Sequence, residues 1–262
     1  MLSGYISYTE KIYFIREVDE SLPCDAYSFH THNVYELIYF LDGNATHVIE
    51  DKKYKLKRGD LIIIRPFKYH FIQIDEPVRY ERYNILFNLD RHNIDGIELL
   101  PEDLEVINIS GNRIVEDIFR KLDLYCKSCD SEIFEKIAVH LLSELFYNIS
   151  LFLTPSSEHT ATVSSLISKA LRYINDNLRE LDGIEEIARY LFVSESYLFR
   201  AFKKELHQTP KKYIMGKRLL LAQKLLSSGE KPTAVCSQCG FSDYTTFYRN
   251  YTTFFGHPPS QK

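Results

Sequence analysis

The sequence predicts an α+β protein of two domains: an N-terminal antiparallel β-barrel with added helices, then a C-terminal all-α domain with two helix-turn-helix units. Three observations predict this fold. Short β-branched and aromatic runs, separated by turn residues, fill the first ninety residues. Apolar residues recur at helical spacing from residue 112 onward. Residues 1–159 hold 27 acidic and 17 basic side chains, whereas residues 160–262 hold 9 and 15, which indicates two parts with different partners.

Strands are predicted from residue 5 to about residue 90. The stretch YELIYFLDGNATHVIED consists of two strand-like runs joined by Asp-Gly-Asn, which is typical of a β-hairpin. The stretch YKLKRGDLIIIRP contains a strand-like run, a Gly-Asp turn and an isoleucine run, and Pro66 ends the isoleucine run. Several short strands at this spacing predict an antiparallel barrel or sandwich, which we place in residues 1–111.

Two helices are predicted in residues 112–153, with a break near SCDSE, because apolar residues such as Ile114, Ile118 and Leu122 recur at helical spacing. We expect this segment to form the contact of a homodimer; simple packing against the barrel is the alternative. Residues 154–162, TPSSEHTAT, are polar and turn-rich, and we interpret them as an interdomain linker.

The C-terminal domain, predicted over residues 163–262, contains an internal repeat. The stretches IEEIARYLFVSESYLFRAFKKELHQTP and PTAVCSQCGFSDYTTFYRNYTTFFGHPP match at an offset of 48 and then 49 residues. Each copy is typical of a short helix, a tight turn, an N-cap serine (Ser194 or Ser242) and a second amphipathic helix. Helix-turn-helix units are therefore predicted at about 184–205 and 232–254, with a helix between them.

Such a pair of units suits double-stranded DNA. Two recognition helices held about one helical turn (~34 Å) apart can enter successive major grooves. The side chains predicted to contact DNA are Ser196, Phe199, Arg200, Lys203, Lys204, Tyr244, Thr245 and Arg249. Lys211 and Lys212 are further candidates for phosphate contacts, although a solvated helix face is the alternative for any single Lys or Arg. The side chains expected in the core are Leu198, Phe202, Phe247 and Tyr251.

These residues resemble the AraC/XylS family of bacterial transcription regulators over roughly residues 164–262. Ser194 to Lys204 match S-x-x-Y-L-x-R-x-F-K-K, and Gly240 to Arg249 match G-F-x-D-x-x-x-F-x-R. The resemblance implies a seven-helix DNA-binding domain, regulation of transcription rather than catalysis, activation more than repression, and contact with RNA polymerase. His207 stands where the family usually has Gly, so a positive φ is expected there.

The stretch FHTHNVYELIYFLDG resembles the first motif of the cupins, and the stretch from Gly59 to His70 resembles the second. Strand alternation places His30, His32 and Glu36 on one face, which points inward if it lines a barrel. In the family, a cupin-like front domain commonly senses a small molecule. His30, His32, Glu36 and His70 are therefore predicted to bind an effector, such as a sugar or related metabolite.

Other functions for these side chains stay open at this point. Three imidazoles and a carboxylate also suit a divalent metal, so a metal-dependent cupin enzyme with an appended helical domain is the rival hypothesis, and a ligand-free structural barrel is another. The favoured function requires no cofactor. The pairs Cys126-x2-Cys129 and Cys236-x2-Cys239 are too far apart for a zinc ribbon, and we expect buried thiols.

No targeting segment is evident. MLSGYISYTE has no basic region followed by an apolar run, and the apolar stretch IAVHLLSELFYNISLFL is short and interrupted by His140 and Glu144. We therefore expect a cytoplasmic protein with no membrane partner.

Overall fold

A computed structural model describes residues 5–6, 11–21, 23, 27, 29–89, 91–153 and 163–260. The chain divides into two compact units. The sheet unit comprises Tyr8–Tyr27 and His32–Ala161, and the helical unit comprises Met1–Ser7, Ser28–Thr31 and Thr162–Lys262. The predicted linker, residues 154–162, lies outside the described residues.

The strands of the described residues carry the β-branched and aromatic runs predicted above. They are β1 (Tyr5–Ile6), β2 (Tyr13–Asp19), β3 (Thr31–His32), β4 (Tyr35–Asp42), β5 (Ala45–Ile49), β6 (Lys52–Lys55), β7 (Asp60–Ile64), β8 (His70–Ile74), β9 (Tyr80–Phe87) and β10 (Val106–Asn108). One antiparallel sheet has the order β10-β7-β4-β9-β2, and a second has the order β6-β5-β8. Closure of these sheets into a barrel stays a prediction.

The predicted hairpin across Asp42-Gly43-Asn44 is wrong. β4 pairs with β7 and β9, whereas β5 pairs with β6 and β8, so the turn carries the chain from one sheet to the other. Gly43 has a φ of 132°, and a Cβ there would lie 3.1 Å from the Tyr80 ring. The turn therefore requires glycine for its backbone conformation and for close packing, as the sequence suggests, but its pairing is not local.

Both faces of β4 are covered, which explains its unbroken apolar run. Leu37 and Tyr39 face a core shared with the helices that follow the strands, whereas Ile38 and Phe40 join a second core with residues of the three-stranded sheet. Because side chains alternate along a strand, Glu36 lies on the same face as Ile38. This places a carboxylate next to the interior between the two sheets.

Helices α1 (Arg113–Ser128) and α2 (Ser131–Phe152) confirm the predicted helix pair and its break at SCDSE. Asn112 caps α1 and Asp130 caps α2. Their buried faces pack on the five-stranded sheet in the core that contains Leu37. The predicted stripe is wrong at Ile114, which is 46% exposed, because the neighbouring Val115 occupies the buried face instead.

The cysteines differ between the two units. Cys236 and Cys239 are buried, as predicted, and burial raises the pKa of both thiols, to about 11 for Cys239. The prediction is wrong for the other pair, since Cys126 is exposed and Cys129 is half-buried. Both lie at the C-terminal end of α1, whose buried side chains stop at Leu122.

The helical unit has its helices where the repeat predicts them. They are α3 (Ser165–Asn177), α4 (Ile184–Tyr190), α5 (Glu195–Leu206), α6 (Pro210–Ser227), α7 (Pro232–Gln238) and α8 (Tyr244–Phe255). The resemblance implies a seventh helix, but within the described residues the chain turns at Gly256 after α8. None of the helices in the described parts of the chain is long and apolar enough to cross a membrane.

Helix α6 connects the two helix-turn-helix units, α4–α5 and α7–α8. Its Tyr213 ring lies 6.2 Å from the Phe202 ring of α5. Arg218 donates hydrogen bonds to the carbonyls of Leu178 and Leu181, at 3.0 and 2.6 Å, which ties α6 to the segment after α3. Helix α6 also packs against α7 and α8. These contacts link the two recognition helices through packed side chains.

Candidate functional site

The recognition helices α5 and α8 each begin with a side-chain cap. Ser194 accepts a hydrogen bond from the Tyr197 amide at 3.2 Å, as predicted. The predicted cap Ser242 is wrong, because Asp243, one residue later, accepts from the Thr246 amide at 2.7 Å. That backbone hydrogen bond lowers the pKa of Asp243. A carboxylate is favoured there because it also interacts with the positive end of the helix dipole.

The buried face of each recognition helix fixes which side chains point outward. Leu198 and Phe202 of α5 are fully buried, as are Phe247 and, almost completely, Tyr251 of α8. The core prediction for these four residues is confirmed. The predicted DNA contacts are all exposed.

The outward faces share residue types at three positions when the two helices are aligned on their caps. The second, fifth and sixth helical residues are a hydroxyl side chain, an aromatic ring and an arginine in both units. The pairs are Ser196 with Thr245, Phe199 with Tyr248, and Arg200 with Arg249. Sequence reasoning missed Tyr248, although the 49-residue offset that pairs the two arginines also pairs Phe199 with Tyr248.

The two units differ in their basic residues. Lys203 and Lys204 are exposed on α5, and the equivalent residues on α8 are Thr252 and Thr253. Lys211 and Lys212, in the first turn of α6, are also exposed. Phosphate contacts are electrostatic, so the first unit has the larger potential for them.

Two candidate effector residues of the sheet unit, His32 and His70, converge on the carboxylate of Glu36. His32 Nε2 lies 3.0 Å from Glu36 Oε2, and His70 Nε2 lies 2.9 Å from the same oxygen. All three side chains are buried. Counting one donor atom from each residue, His30, His32, Glu36 and His70 lie within 4.8 Å of one another. The structure therefore brings together all four residues that the sequence singles out.

The other ring nitrogens define the chemistry of this cluster. His32 Nδ1 lies 3.0 Å from the Val34 carbonyl, and His70 Nδ1 lies 2.9 Å from the Lys68 carbonyl. A carbonyl only accepts hydrogen bonds, so each Nδ1 carries a proton. A neutral imidazole then directs the lone pair of Nε2 at Glu36 Oε2, and the close contact is favourable if a proton or a cation lies between the two atoms.

The pKa of Glu36 reflects both its burial and its contacts with the two histidines. Burial acts to raise the pKa of Glu36, but hydrogen bonds and charge from His32 and His70 hold it well below its usual range. The separations of about 3 Å also equal those between neighbouring ligands on a metal with bonds of about 2.1 Å. Nitrogen and carboxylate donors at this spacing fit a divalent transition metal, and they equally fit a polar effector that bridges them.

Further polar side chains of the sheet unit escaped sequence reasoning. His47 of β5 is fully buried, with its ring 5.9 Å from the His70 ring. Arg82 of β9 is buried and donates to Glu17 at 2.7 Å, and interactions with the neighbouring tyrosines and Glu17 raise its pKa despite burial. The alternation along β5 and β9 could have indicated that both point inward.

Comparisons with known proteins match both units. Residues 187–262 match the family described as "Helix-turn-helix domain", and residues 18–106 match that described as "AraC-like ligand binding domain". The HTH-type transcriptional activator RhaS of Klebsiella pneumoniae is 25% identical over 244 residues, which are 88% of this chain and 87% of that protein. RhaR of Enterobacter sp., also an HTH-type transcriptional activator, is 24% identical over 256 residues, 93% of this chain and 89% of its own. The solved structure of ToxT from Vibrio cholerae aligns over 95% of this chain and 97% of its own, at 12% identity and a TM-score of 0.37.

Proposed function

Since the chain belongs to the AraC family of transcription regulators, we propose that α5 and α8 bind promoter DNA and that an effector held by the His32–Glu36–His70 cluster controls this binding. The observation that carries the DNA proposal is the repeated outward face of the recognition helices. The same three types of side chain occupy the same helical positions twice, on helices that α6 links. Two equivalent surfaces suit a ligand with two equivalent grooves.

The proposed contacts divide by chemistry. Arg200 and Arg249 can donate two hydrogen bonds to a guanine edge, which specifies sequence. Ser196 and Thr245 can donate to either bases or phosphates. Lys203 and Lys204, with Lys211 and Lys212, can neutralise phosphates and fix the register. Tyr244 is the first residue of α8, and the equivalent residue of α5 is Glu195. A contact made by Tyr244 would therefore belong to the second unit alone.

A direct test uses the full chain and a duplex selected from random DNA by the chain itself. Arg200→Ala and Arg249→Ala are each expected to lower affinity by about 5- to 150-fold, that is ~1–3 kcal/mol, and to relax preference at one base pair. Arg58→Ala, on the exposed surface of the sheet unit, is the control and is expected to leave affinity unchanged. A uniform loss over all sequences would instead make the arginine a phosphate contact. The proposal is overturned if the unmodified chain binds no DNA sequence selectively.

The effector proposal rests on the convergence of His32, His70 and Glu36 in the buried interior. Two chemical classes are candidates: a polar metabolite such as a sugar, and a divalent metal ion that these residues, with His30, would hold. Thermal-shift titrations of the full chain with sugars and with Zn²⁺, Mn²⁺ and Ni²⁺ separate them, and metal analysis of the purified chain checks the second. Glu36→Gln keeps the side-chain shape and removes the charge, so it should abolish either response.

Non-enzymatic action is part of the proposal. If the bound species changes affinity for the selected duplex, the site regulates DNA binding. A species that binds stoichiometrically, leaves DNA affinity unchanged and supports turnover of an organic substrate favours the metal-dependent enzyme instead. Glu36→Gln then removes turnover while DNA binding persists.

We further propose a homodimer that activates transcription by contact with RNA polymerase, in the cytoplasm where the chromosome lies. In this proposal residues 1–111 bind the effector, 112–153 form the dimer contact, 154–162 link the domains and 163–262 bind DNA.

Support for the dimer comes from α2, whose Ile133, Tyr147 and Leu151 are exposed at helical spacing. Leu151→Glu should convert a dimer to a monomer in sedimentation experiments. An unmodified chain that sediments as a monomer at micromolar concentration contradicts this part.

A further inference from the structure

Each recognition helix exposes a large aromatic ring in the middle of its outward face. Phe199 is 43% exposed and Tyr248 is 42% exposed. Single exposed apolar residues are common on protein surfaces and need no explanation. Here the same helical position is aromatic in both copies of a repeat, and it lies directly before the arginine in each. The repetition indicates that the ring has a function on the face that the proposed function assigns to DNA.

The chemistry of Phe199 limits what that function is. A phenyl ring neither donates nor accepts a conventional hydrogen bond, so it cannot recognise the polar edge of a base pair. Charged phosphate oxygens are equally unsuitable partners for a phenyl ring. In the major groove the apolar group that distinguishes one base from the others is the C5 methyl of thymine. An apolar side chain beside an arginine therefore selects thymine next to the base or phosphate that the arginine contacts.

We propose that Phe199 and Tyr248 each contact a thymine C5 methyl group, so that the two half-sites of the target share a thymine at equivalent positions. This inference rests on the proposed DNA-binding function, and it adds a preference for thymine at one position of each half-site. The ring of Tyr248 lies 6.3 Å from that of Tyr244, so the second unit presents a broader aromatic surface than the first. The hydroxyl of Tyr248 is not required for a methyl contact.

Deoxyuridine tests the proposal, because it differs from thymidine only by the lack of that methyl group. The full chain first selects its duplex from random DNA, and each thymine of the selected site is then replaced singly by deoxyuridine. One replacement in each half-site should weaken binding about fourfold, since one buried methyl contributes about 0.8 kcal/mol. All other replacements should change affinity by less than about twofold.

Alanine variants identify which aromatic ring contacts which methyl group. Phe199→Ala should weaken binding to the thymine duplex and lose the response to deoxyuridine in one half-site only. Tyr248→Ala should do the same in the other half-site, and Tyr248→Phe should retain the response. The inference is overturned if no single replacement changes affinity, or if the responses persist in the alanine variants. If Arg200→Ala still weakens binding in that case, the proposed function stands without this inference; if the unmodified chain selects no duplex, both fail.

Discussion

The first helix-turn-helix unit ends its recognition helix with Lys203 and Lys204, whereas the second has Thr252 and Thr253 at those positions. The second, fifth and sixth helical residues, which face outward, are nevertheless of the same type in the two helices. The difference separates two aspects of DNA binding that usually occur together. We expect the first unit to contribute most of the electrostatic affinity, and the second to contribute selectivity with little help from phosphates.

The turns of the two units also differ. Phe192 has a φ of 56° and is 96% exposed, which is unusual for a bulky residue. Gly240 occupies the equivalent place with a φ of 76°, and a Cβ there would lie 2.3 Å from the Arg179 carbonyl oxygen. The same left-handed turn is thus open to solvent in one unit and packed against backbone in the other. Only the second turn requires glycine.

Single substitutions by alanine, one at each turn residue, should give the largest contrast in stability between the two units. Gly240→Ala is expected to destabilise the helical unit by at least about 2 kcal/mol, because a left-handed non-glycine residue costs ~1–2 kcal/mol and the clash with Arg179 adds to this. Phe192→Ala should change stability by less than about 0.5 kcal/mol, since the residue is already non-glycine and exposed. Urea unfolding followed by circular dichroism measures both; equal destabilisation by the two substitutions contradicts the contrast.

Exchange of the basic residues tests the electrostatic difference between the units. Replacement of Lys203 and Lys204 by threonine should reduce the slope of log affinity against log salt by about 0.9 for each phosphate that these lysines neutralise. Conversely, Thr252→Lys with Thr253→Lys should increase it. Titrations of the selected duplex between 50 and 200 mM salt (about the range in which such slopes are measured) give both values. An unchanged slope in the lysine-to-threonine variant means that these side chains do not contact phosphate.

The two caps differ in their dependence on pH. Ser194→Ala should cost about 1 kcal/mol at every pH, because a hydroxyl cap does not titrate in this range. The pKa of Asp243 is lower in the folded state, so its contribution is fully present above its unfolded-state value of about 3.9 and is lost as the pH falls through the folded-state value. Asp243→Ala should therefore destabilise the chain at pH 7 and have a smaller effect near pH 3. Thermal unfolding at both values checks this, and a pH-independent loss for Asp243→Ala would falsify it.

The smallest expected effect is a gain in stability. Phe192→Asn should stabilise the helical unit by up to about 1 kcal/mol, because asparagine tolerates the left-handed region far better than phenylalanine. The glycine already present at position 240 leaves no such gain in the second unit. Urea midpoints of the full chain provide the comparison, and a destabilised Phe192→Asn variant means that the exposed ring contributes to folding.

Local patterns in the sequence predict the helices well and the sheet less well. The repeat and the helical spacing locate α4, α5, α7 and α8 because these elements are defined by residues close in sequence. The hairpin at Gly43 is wrong because strand partners are chosen over long separations, as between β4 and β9. A turn signal cannot distinguish a hairpin from a crossing between two sheets.

The candidate sites show the same limit. The spacing of His30, His32 and Glu36 predicts their grouping, and His70 comes from the second motif. Alternation along β5 and β9 indicates the inward positions of His47 and Arg82 only once it is known which face of each strand points inward. The α8 cap is Asp243 rather than Ser242, and the sequence could have indicated this, because the 49-residue offset that pairs the two arginines also pairs Ser194 with Asp243.

The proposed mechanism depends above all on two linked recognition helices that bind successive grooves of a single duplex. Insertion of five base pairs between the half-sites rotates one half-site by about half a turn, so only one helix can then reach its groove. We therefore predict that the affinity of the full chain for its selected duplex falls, after the insertion, to that of a duplex with one half-site alone. An affinity unchanged by the insertion would contradict the mechanism.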